Sequence, residues 1–303
     1  MKFSRLVLLC LLACLMWTAQ AAAEEKITEF RIGVLGGENA SDRLRSNECI
    51  REAVEDALGV PTKVFAPADY NGVIEGLLGG NLDMAWLGAS GYAKVYLNDP
   101  DAVQPVLTKI NKDGSFGYHS IGFARVDSGI ESLDDMQNKT FGFGDPNSTS
   151  GYLIPSIEIP AEGYSMEPGK YFKDVVFTGG HEQTIVAVSN GDIDAGVTWA
   201  CGLGEWEDGY NSGALRKASD AGLVDMTQIQ EIWRSEIIPE GPIVLRKDLP
   251  EEVKLKVTGL LASMPSTDAQ CAYNFMAGEI MAIAPIEHSD YTSIIEARKA
   301  KSQ

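Results

Sequence analysis

Short apolar strands alternate with helical segments along this chain, and a glycine follows each of these helices. Residues 30–35, 61–65 and 84–87 have the pattern of strands, and residues 49–58 and 70–78 between them have helical spacing. Glycine is common just after a helix because it readily adopts the left-handed conformation that ends one. The alternation predicts an α/β fold with largely parallel sheets.

The same alternation continues to residue 200. Further strands are predicted at residues 103–110, 119–125, 140–143, 175–177 and 195–199, and helices at residues 181–190 and after Ser132, where Asp135 completes a capping box. A helix, a glycine, a polar residue and a strand follow one another twice, at residues 80–86 and 190–196. This repetition is compatible with two independent turns and equally with two lobes built on one plan. The glycine-rich residues 202–213 are predicted to be a surface excursion.

The length of the chain bears on its number of domains, and its net charge limits the partners it can bind. The 303 residues suggest two domains, and the formal net charge is −18. A field of this sign repels DNA, RNA and anionic membrane surfaces, so we expect no nucleic-acid partner. A small anionic ligand is still possible, since local backbone dipoles can hold it.

The first 23 residues have the pattern of a secretory signal peptide. Lys2 and Arg5 precede an apolar run over residues 6–17, and small residues at positions 19–23 offer cleavage sites. The run is too short to span a membrane. We expect cleavage near Ala21 or Ala23 and export to the periplasm, with a lipoprotein signal ending at Cys14 as the alternative.

Three cysteines remain after such a cleavage, namely Cys49, Cys201 and Cys271. Their separations match no metal site, and we expect neither a metal nor a cofactor. An exported protein can join two of them in a disulfide, but the sequence leaves open which two.

The segment of residues 145–151, Asp-Pro-Asn-Ser-Thr-Ser-Gly, runs from a strand into a helix start. Ser148, Thr149 and Ser150 place three hydroxyls and several unpaired amides there, and the helix dipole adds to them, which is typical of an anion site. An ordinary serine cap with nothing bound is the alternative. His181, at another helix start, could be a general base, a neutral donor to an anion, or only a capping residue.

Familiar catalytic signatures are missing from the sequence. It contains no Gly-x-Ser-x-Gly elbow, no Walker loop and no His-Glu-x-x-His helix. A hydrolase would need Ser148 or Ser150 activated by His181 and oriented by an acid, and nothing in the sequence nominates that acid. We therefore expect a binding protein and not an enzyme.

Six blocks together resemble the phosphate/phosphite/phosphonate-binding proteins of bacterial ABC importers, at residues 65–70, 83–88, 117–120, 144–152, 180–182 and 237–244. The resemblance covers nearly the whole chain after the signal, and residues 145–151 are its most specific block. It implies a periplasmic binding protein-like type II fold, with two Rossmann-like lobes joined by two crossover strands and the ligand between them. Residues 24–118 with 239–303 would form the first lobe, and residues 119–238 the second.

The resemblance also implies which residues hold the ligand. The three hydroxyl residues at 148–150 match residues that hold the phosphonate oxygens, and His181 matches a histidine that donates to the same group. Tyr70 and Tyr118 match tyrosines that close the pocket. The implied partner is an ABC permease in the inner membrane.

Two positions depart from the relatives that bind aminoalkylphosphonates, in which two carboxylates pair with the ligand ammonium. Cys201 and Gly241 stand at those positions, and Glu240 is a candidate ligand residue beside the second. Glu240 and Glu205 could substitute only through a shifted backbone, and Trp199 would suit an apolar group or a quaternary cation, or belong to the core. We expect ligands without an amine, such as methylphosphonate, phosphite or phosphate, to bind at least as well as 2-aminoethylphosphonate.

The expected function is capture of a phosphonate or related phosphorus oxyanion for an ABC importer, with two lobes closing over the ligand. A hydrolase acting on a phosphorus or carboxyl ester is one alternative. A sensor lobe that reports ligand to a membrane receptor is the other.

Overall fold

The computed structural model describes residues 26–36 and 39–301, so the predicted signal peptide, residues 1–23, lies outside the described residues. Within the described ranges, no helix is long and apolar enough to cross a membrane. The strands are, in chain order, β1 (Phe30–Gly33), β2 (Thr62–Phe65), β3 (Met84–Trp86), β4 (Val103–Ile110), β5 (Gly117–Arg125), β6 (Thr140–Phe143), β7 (Asp174–Phe177), β8 (Ala195–Ala200), β9 (Ile229–Arg234), β10 (Ile238–Pro239), β11 (Ile243–Arg246) and β12 (Ala282–Pro285).

The α-helices connect these strands and cover their faces. They are α1 (Ala40–Ser46), α2 (Glu48–Leu58), α3 (Tyr70–Leu78), α4 (Ala89–Asn98), α5 (Pro155–Ala161), α6 (His181–Asn190), α7 (Ala214–Asp220), α8 (Glu251–Thr267), α9 (Ala269–Phe275) and α10 (Thr292–Lys301). The capping box predicted at Ser132 and Asp135 is confirmed, and it begins a short 3₁₀ helix, Leu133–Met136.

The strands form two six-stranded sheets, one in each lobe. The first has the order β12-β4-β11-β3-β1-β2, and the second has the order β10-β5-β8-β6-β7 with β9 also paired to β5. In the first sheet β1 is parallel to β2 and β3, and in the second β6 is parallel to β7 and β8. The other strand pairs are antiparallel. The predicted parallel pairing therefore holds for three strands of each lobe. The strands at which the chain enters a lobe from the other one, β5 and β11, run against these three.

The chain passes between the lobes twice. It leaves the first sheet after Ile110 and enters the second at Gly117, then leaves the second after Pro239 and re-enters the first at Ile243. These two crossings agree with the predicted pair of crossover strands.

Apolar clusters cover both faces of each sheet. In the first lobe, one cluster contains Tyr92 and the other contains Phe30. In the second lobe, Leu215 and Phe141 belong to the two corresponding clusters. Tyr118, on the crossover strand β5, belongs to the same cluster as Tyr92, so this cluster extends from the first lobe to the strand that enters the second.

A disulfide joins Cys49 in α2 to Cys271 in α9, while Cys201 is free and buried in the second lobe. The pairing that the sequence left open is therefore settled within the first lobe. The predicted surface excursion at residues 202–213 is only partly on the surface, because Tyr210 and Ser212 within it are buried.

Candidate functional site

A cavity lies between the two lobes, and residues of both lobes line it. Its walls include every residue predicted to bind ligand, namely Tyr70, Tyr118, Ser148, Thr149, Ser150, His181, Trp199 and Glu240. The sequence places these residues over a span from position 70 to position 240, and the fold brings them together.

The loop at residues 145–151 is held by its own polar groups. The Asp145 carboxylate accepts a hydrogen bond from the Asn147 amide, and the Ser148 hydroxyl accepts one from the Gly151 amide at 3.0 Å. Ser148 is thus the cap of a single π-helical turn, Thr149–Leu153, that leads into α5. The hydroxyl side chains at positions 148–150 are all buried against the cavity.

Gly151 allows this loop to pack tightly. A β-carbon at this position would lie 2.8 Å from the Ser148 hydroxyl and 3.2 Å from Cε1 of His181. The absence of a side chain at Gly151 therefore lets the Ser148 hydroxyl and the His181 ring pack closely against this backbone.

Helix starts converge on the cavity from both lobes. Tyr70 begins α3, Gly88 precedes α4, Thr149 begins the π-helical turn and His181 begins α6, and all four residues line the cavity. The residue that precedes α4 and the residue that precedes α6 are both glycine, so neither helix is capped by a side chain of its own N-cap residue. Unpaired amides and the positive ends of helix dipoles favour an anion, which explains how a chain of net charge −18 can hold one.

The His181 ring is buried between two hydroxyls. Its Nε2 lies 3.3 Å from the Ser148 hydroxyl, and its Nδ1 lies 3.3 Å from the Thr198 hydroxyl. Burial lowers the pKa of His181 to about 4, so the ring is neutral at pH 7 and carries one N–H donor. Both ring nitrogens lie beside hydroxyls, and burial, not a neighbouring carboxylate, causes the shift of the pKa.

The two tyrosines approach the loop from the other side. Burial raises the pKa of Tyr118, the charge of Glu240 raises it further, and hydrogen bonds with Ser150 and Thr149 oppose the shift. The phenol therefore stays protonated and can donate. The Tyr70 amide donates to the Asp145 carboxylate at 3.4 Å across the cleft, and burial raises the pKa of that carboxyl group.

Trp199 and Glu240 form the far wall of the cavity. The Trp199 ring meets Tyr118 and Trp86 edge to face, with ring centroids 5.6 Å and 6.1 Å away. Glu240 is 2% exposed and forms an ion pair with Lys109, whose Nζ lies 2.7 Å from its Oε1. Trp199 therefore belongs both to the aromatic packing and to the cavity wall.

The structure explains the two positions, Cys201 and Gly241, that lack the carboxylates of relatives that bind aminoalkylphosphonates. A β-carbon on Gly241 would lie 1.9 Å from the Leu87 carbonyl oxygen, so this backbone accepts no side chain at all. Cys201 does not line the cavity, and its sulfur lies 3.6 Å from the Leu203 carbonyl oxygen. Glu205 is exposed and also lies off the cavity, which leaves Glu240 as the one candidate carboxylate that reaches it.

One contributing element was missed in the sequence, the helix α4. Its Ser90 amide donates to the Thr149 hydroxyl at 2.9 Å, which joins the first lobe to the loop of the second. A signal was present, because Ala89, Tyr92, Ala93 and Tyr96 have the spacing of one buried helix face. The predicted strand that ends just before Gly88 should have suggested a helix after it.

A comparison with protein-family models identifies the chain. Residues 32–291 match the family described as "ABC transporter, phosphonate, periplasmic substrate-binding protein". This chain belongs to that family. The family consists of substrate-binding components of transporters and not of enzymes, so the hydrolase alternative is wrong and the predicted absence of enzymatic activity stands.

Curated relatives agree with this assignment. The phosphonates-binding periplasmic protein of Escherichia coli is 31% identical over 250 residues, which are 81% of this chain and 68% of the relative. The phosphate-import protein PhnD of Mycolicibacterium smegmatis is 27% identical over 280 residues, which are 87% of this chain and 83% of the relative.

Solved structures confirm the predicted fold class. A binding protein component of an ABC phosphonate transporter from Pseudomonas aeruginosa superposes with a TM-score of 0.77 at 25% identity, over 90% of this chain and 86% of the other. PhnD1 of Prochlorococcus marinus, in complex with methylphosphonate, superposes with a TM-score of 0.74 at 19% identity, over 91% of this chain and 98% of the other. The chain is thus a two-lobed substrate-binding protein of the periplasmic type II class.

Proposed function

We propose that this protein captures a phosphonate or related phosphorus oxyanion in the periplasm and delivers it to the permease of an ABC importer. One observation carries the proposal: the residues predicted to bind ligand all line a single cavity on which helix starts from both lobes converge. Export would depend on the signal predicted at residues 1–23, and the permease would recognise the closed pair of lobes.

The donors around the cavity suit three oxygens of a tetrahedral anion. Hydroxyls at positions 148–150, the Tyr118 phenol and the neutral His181 ring can donate without adding charge. Charge-assisted hydrogen bonds to a phosphorus oxyanion are stronger than those between neutral groups. Arg43 and Lys217 also line the cavity and add positive charge around the anion.

The ligands named for the relatives support this ligand class. The relative from E. coli is named for phosphonates, the one from M. smegmatis for phosphate import, and PhnD1 holds methylphosphonate. The ligands in these names all contain a phosphorus oxyanion, and they differ in the substituent on phosphorus. We propose that the same anion binds at the helix starts here, with residues 24–118 and 239–303 closing on residues 119–238.

The test is calorimetric titration of the protein with methylphosphonate, phosphite and phosphate, with sulfate for comparison. We expect binding of one phosphorus oxyanion per chain. Because each lost hydrogen bond to a charged oxygen costs about 1.5–3 kcal/mol, a Ser148→Ala, Thr149→Ala double variant should bind at least tenfold more weakly. Ser132→Ala removes a cap of the same kind outside the cavity and should not change affinity. Absence of binding, or equal affinity in the double variant and Ser132→Ala, would contradict the proposal.

A further inference from the structure

A lysine is buried directly behind the far wall of the cavity. Lys109 extends from β4, its side chain has no solvent exposure, and its Nζ lies 2.7 Å from Oε1 of Glu240. The same Nζ lies 3.1 Å from the Ser212 hydroxyl and 4.7 Å from the centroid of the Trp199 ring. Lys109 therefore makes ionic, hydrogen-bonding and cation–π contacts, and two of its partners, Glu240 and Trp199, are themselves cavity walls.

Glu240 is the single carboxylate in the cavity wall over the part of the chain that the structure describes. A carboxylate removed from water needs a cation close by, since an unpaired buried charge is strongly unfavourable. Lys109 supplies that cation from within the protein. Nothing in this arrangement requires the ligand to bring one.

We infer that Lys109 occupies the place a ligand ammonium would need, so that the cavity selects phosphorus oxyanions whose substituent carries no amine. The inference rests on the proposed function and specifies its substrate class. An aminoalkyl group that entered would compete with Lys109 for one carboxylate, and one of the two ammonium groups would be left without a negatively charged partner. The other charged residues in the described wall, Arg43 and Lys217, are cationic and offer a ligand amine no attraction.

The same contacts argue against the alternative in which Trp199 binds a quaternary cation of the ligand. A quaternary cation would need to lie over an indole face, and the Lys109 ammonium already lies over one face of Trp199. The other neighbours of the ring, Trp86 and Tyr118, meet it edge to face. Trp199 therefore offers the ligand an apolar surface, which suits hydrogen or a short alkyl group on phosphorus.

The test compares 2-aminoethylphosphonate with n-propylphosphonate, which has the same shape and no amine, by calorimetric titration at pH 7. The wild-type protein should bind the propyl compound at least tenfold more tightly. Lys109→Met keeps an unbranched side chain one atom shorter but leaves Glu240 without its cation, so this variant should reverse the preference by at least tenfold. Lys109→Met combined with Glu240→Gln removes both charges and should restore the preference for the propyl compound.

Methylphosphonate, titrated in parallel, separates this inference from the proposed function. If no phosphorus oxyanion binds the wild-type protein, the proposed function fails and the inference fails with it. If methylphosphonate binds but the wild-type protein binds the amine compound as tightly as the propyl compound, only the inference is overturned. An unchanged preference in a folded Lys109→Met variant would overturn it as well, and the wild-type comparison decides the matter if that variant does not fold.

Discussion

At the scale of single residues, the hydroxyl, phenol and imidazole donors that line the cavity are neutral, and for the imidazole it is burial that keeps it so. This imidazole belongs to His181, whose ring is enclosed by the hydroxyls of Ser148 and Thr198. Removing an imidazole from water penalises its charged form, and this lowers its pKa to about 4. The ring can then donate a hydrogen bond to the ligand without an internal counter-ion.

This shift predicts how stability depends on pH. The folded-state pKa of His181, about 4, is below the ordinary value of 6.5, so the unfolded chain binds the proton more readily. The contribution of the neutral ring to stability is complete above pH 6.5 and is lost as the pH falls toward 4. Between pH 7 and pH 4.5 the loss should be about 2–3 kcal/mol.

The measurement is the free energy of unfolding in urea at these two pH values, for the wild-type protein and for His181→Gln. The variant keeps a neutral donor and cannot titrate. Its free energy of unfolding should therefore fall less than that of the wild-type protein between these pH values, and the difference should equal the loss attributed to His181. The carboxylates that titrate in the same range are common to both proteins and cancel in the difference. Equal acid dependence in the two proteins would mean that His181 is not buried as a neutral ring.

At the scale of elements, prediction from the sequence succeeded where the signal was local. The helices α3 and α6, and the strands β4 and β6, have the predicted bounds, because a cap, a glycine or an apolar run marks each end. The loop at residues 145–151 was recognised as a candidate anion site for the same reason. Its Ser148 cap and its neighbouring hydroxyls lie within seven consecutive residues.

Contacts between distant segments could not be predicted in this way. Lys109 and Glu240 come together only because β4 and the crossing before β11 lie side by side, and neither residue has a local pattern that marks a buried pair. The crowding of Gly241 against the Leu87 carbonyl likewise depends on the pairing of β11 with β3. The choice between Cys49, Cys201 and Cys271 needed the packing of α2 against α9.

That disulfide supports a prediction about the two helices it joins. Cys49 and Cys271 are 222 residues apart, and a crosslink across so long a loop strongly restricts the unfolded chain. Replacing both by serine should lower the free energy of unfolding by about 2–5 kcal/mol, seen as a lower midpoint in thermal unfolding.

Cys201→Ser is the matched control, since Cys201 is buried but unpaired. Thiol alkylation of the processed protein under denaturing, non-reducing conditions should label Cys201 alone. An unchanged melting temperature in the double variant, or labelling of Cys49, would contradict the assignment.

At the scale of the whole molecule, the lobes meet beside the cavity through the C-terminal helix. Arg298 in α10 donates to the Ser90 hydroxyl of the first lobe at 2.7 Å. The same guanidinium donates to the Pro146 carbonyl at 3.2 Å and to Asn147 Oδ1 at 2.8 Å, both in the loop at residues 145–151 of the second lobe. Arg298 therefore stabilises the arrangement in which the helix starts of both lobes face the cavity.

Loss of this contact should weaken ligand binding without changing any residue in the cavity wall. Hydrogen bonds from a charged donor contribute about 1.5–3 kcal/mol each, so Arg298→Ala should reduce the affinity for methylphosphonate about tenfold or more. Lys299→Ala, an exposed basic residue of the same helix, should leave it unchanged. Titration of both variants checks this, and equal affinities would show that the contact does not contribute to closure.

The central claim is that a phosphorus oxyanion lies between the lobes, with its oxygens at the helix starts and its substituent toward Trp199. A crystal structure of the protein with methylphosphonate tests it most directly. We expect the three oxygens within hydrogen-bond distance of residues 148–150 and His181, the methyl group against Trp199, and the ion pair of Lys109 and Glu240 intact. Phosphorus outside this cavity, or oxygens directed at Glu240, would contradict the account.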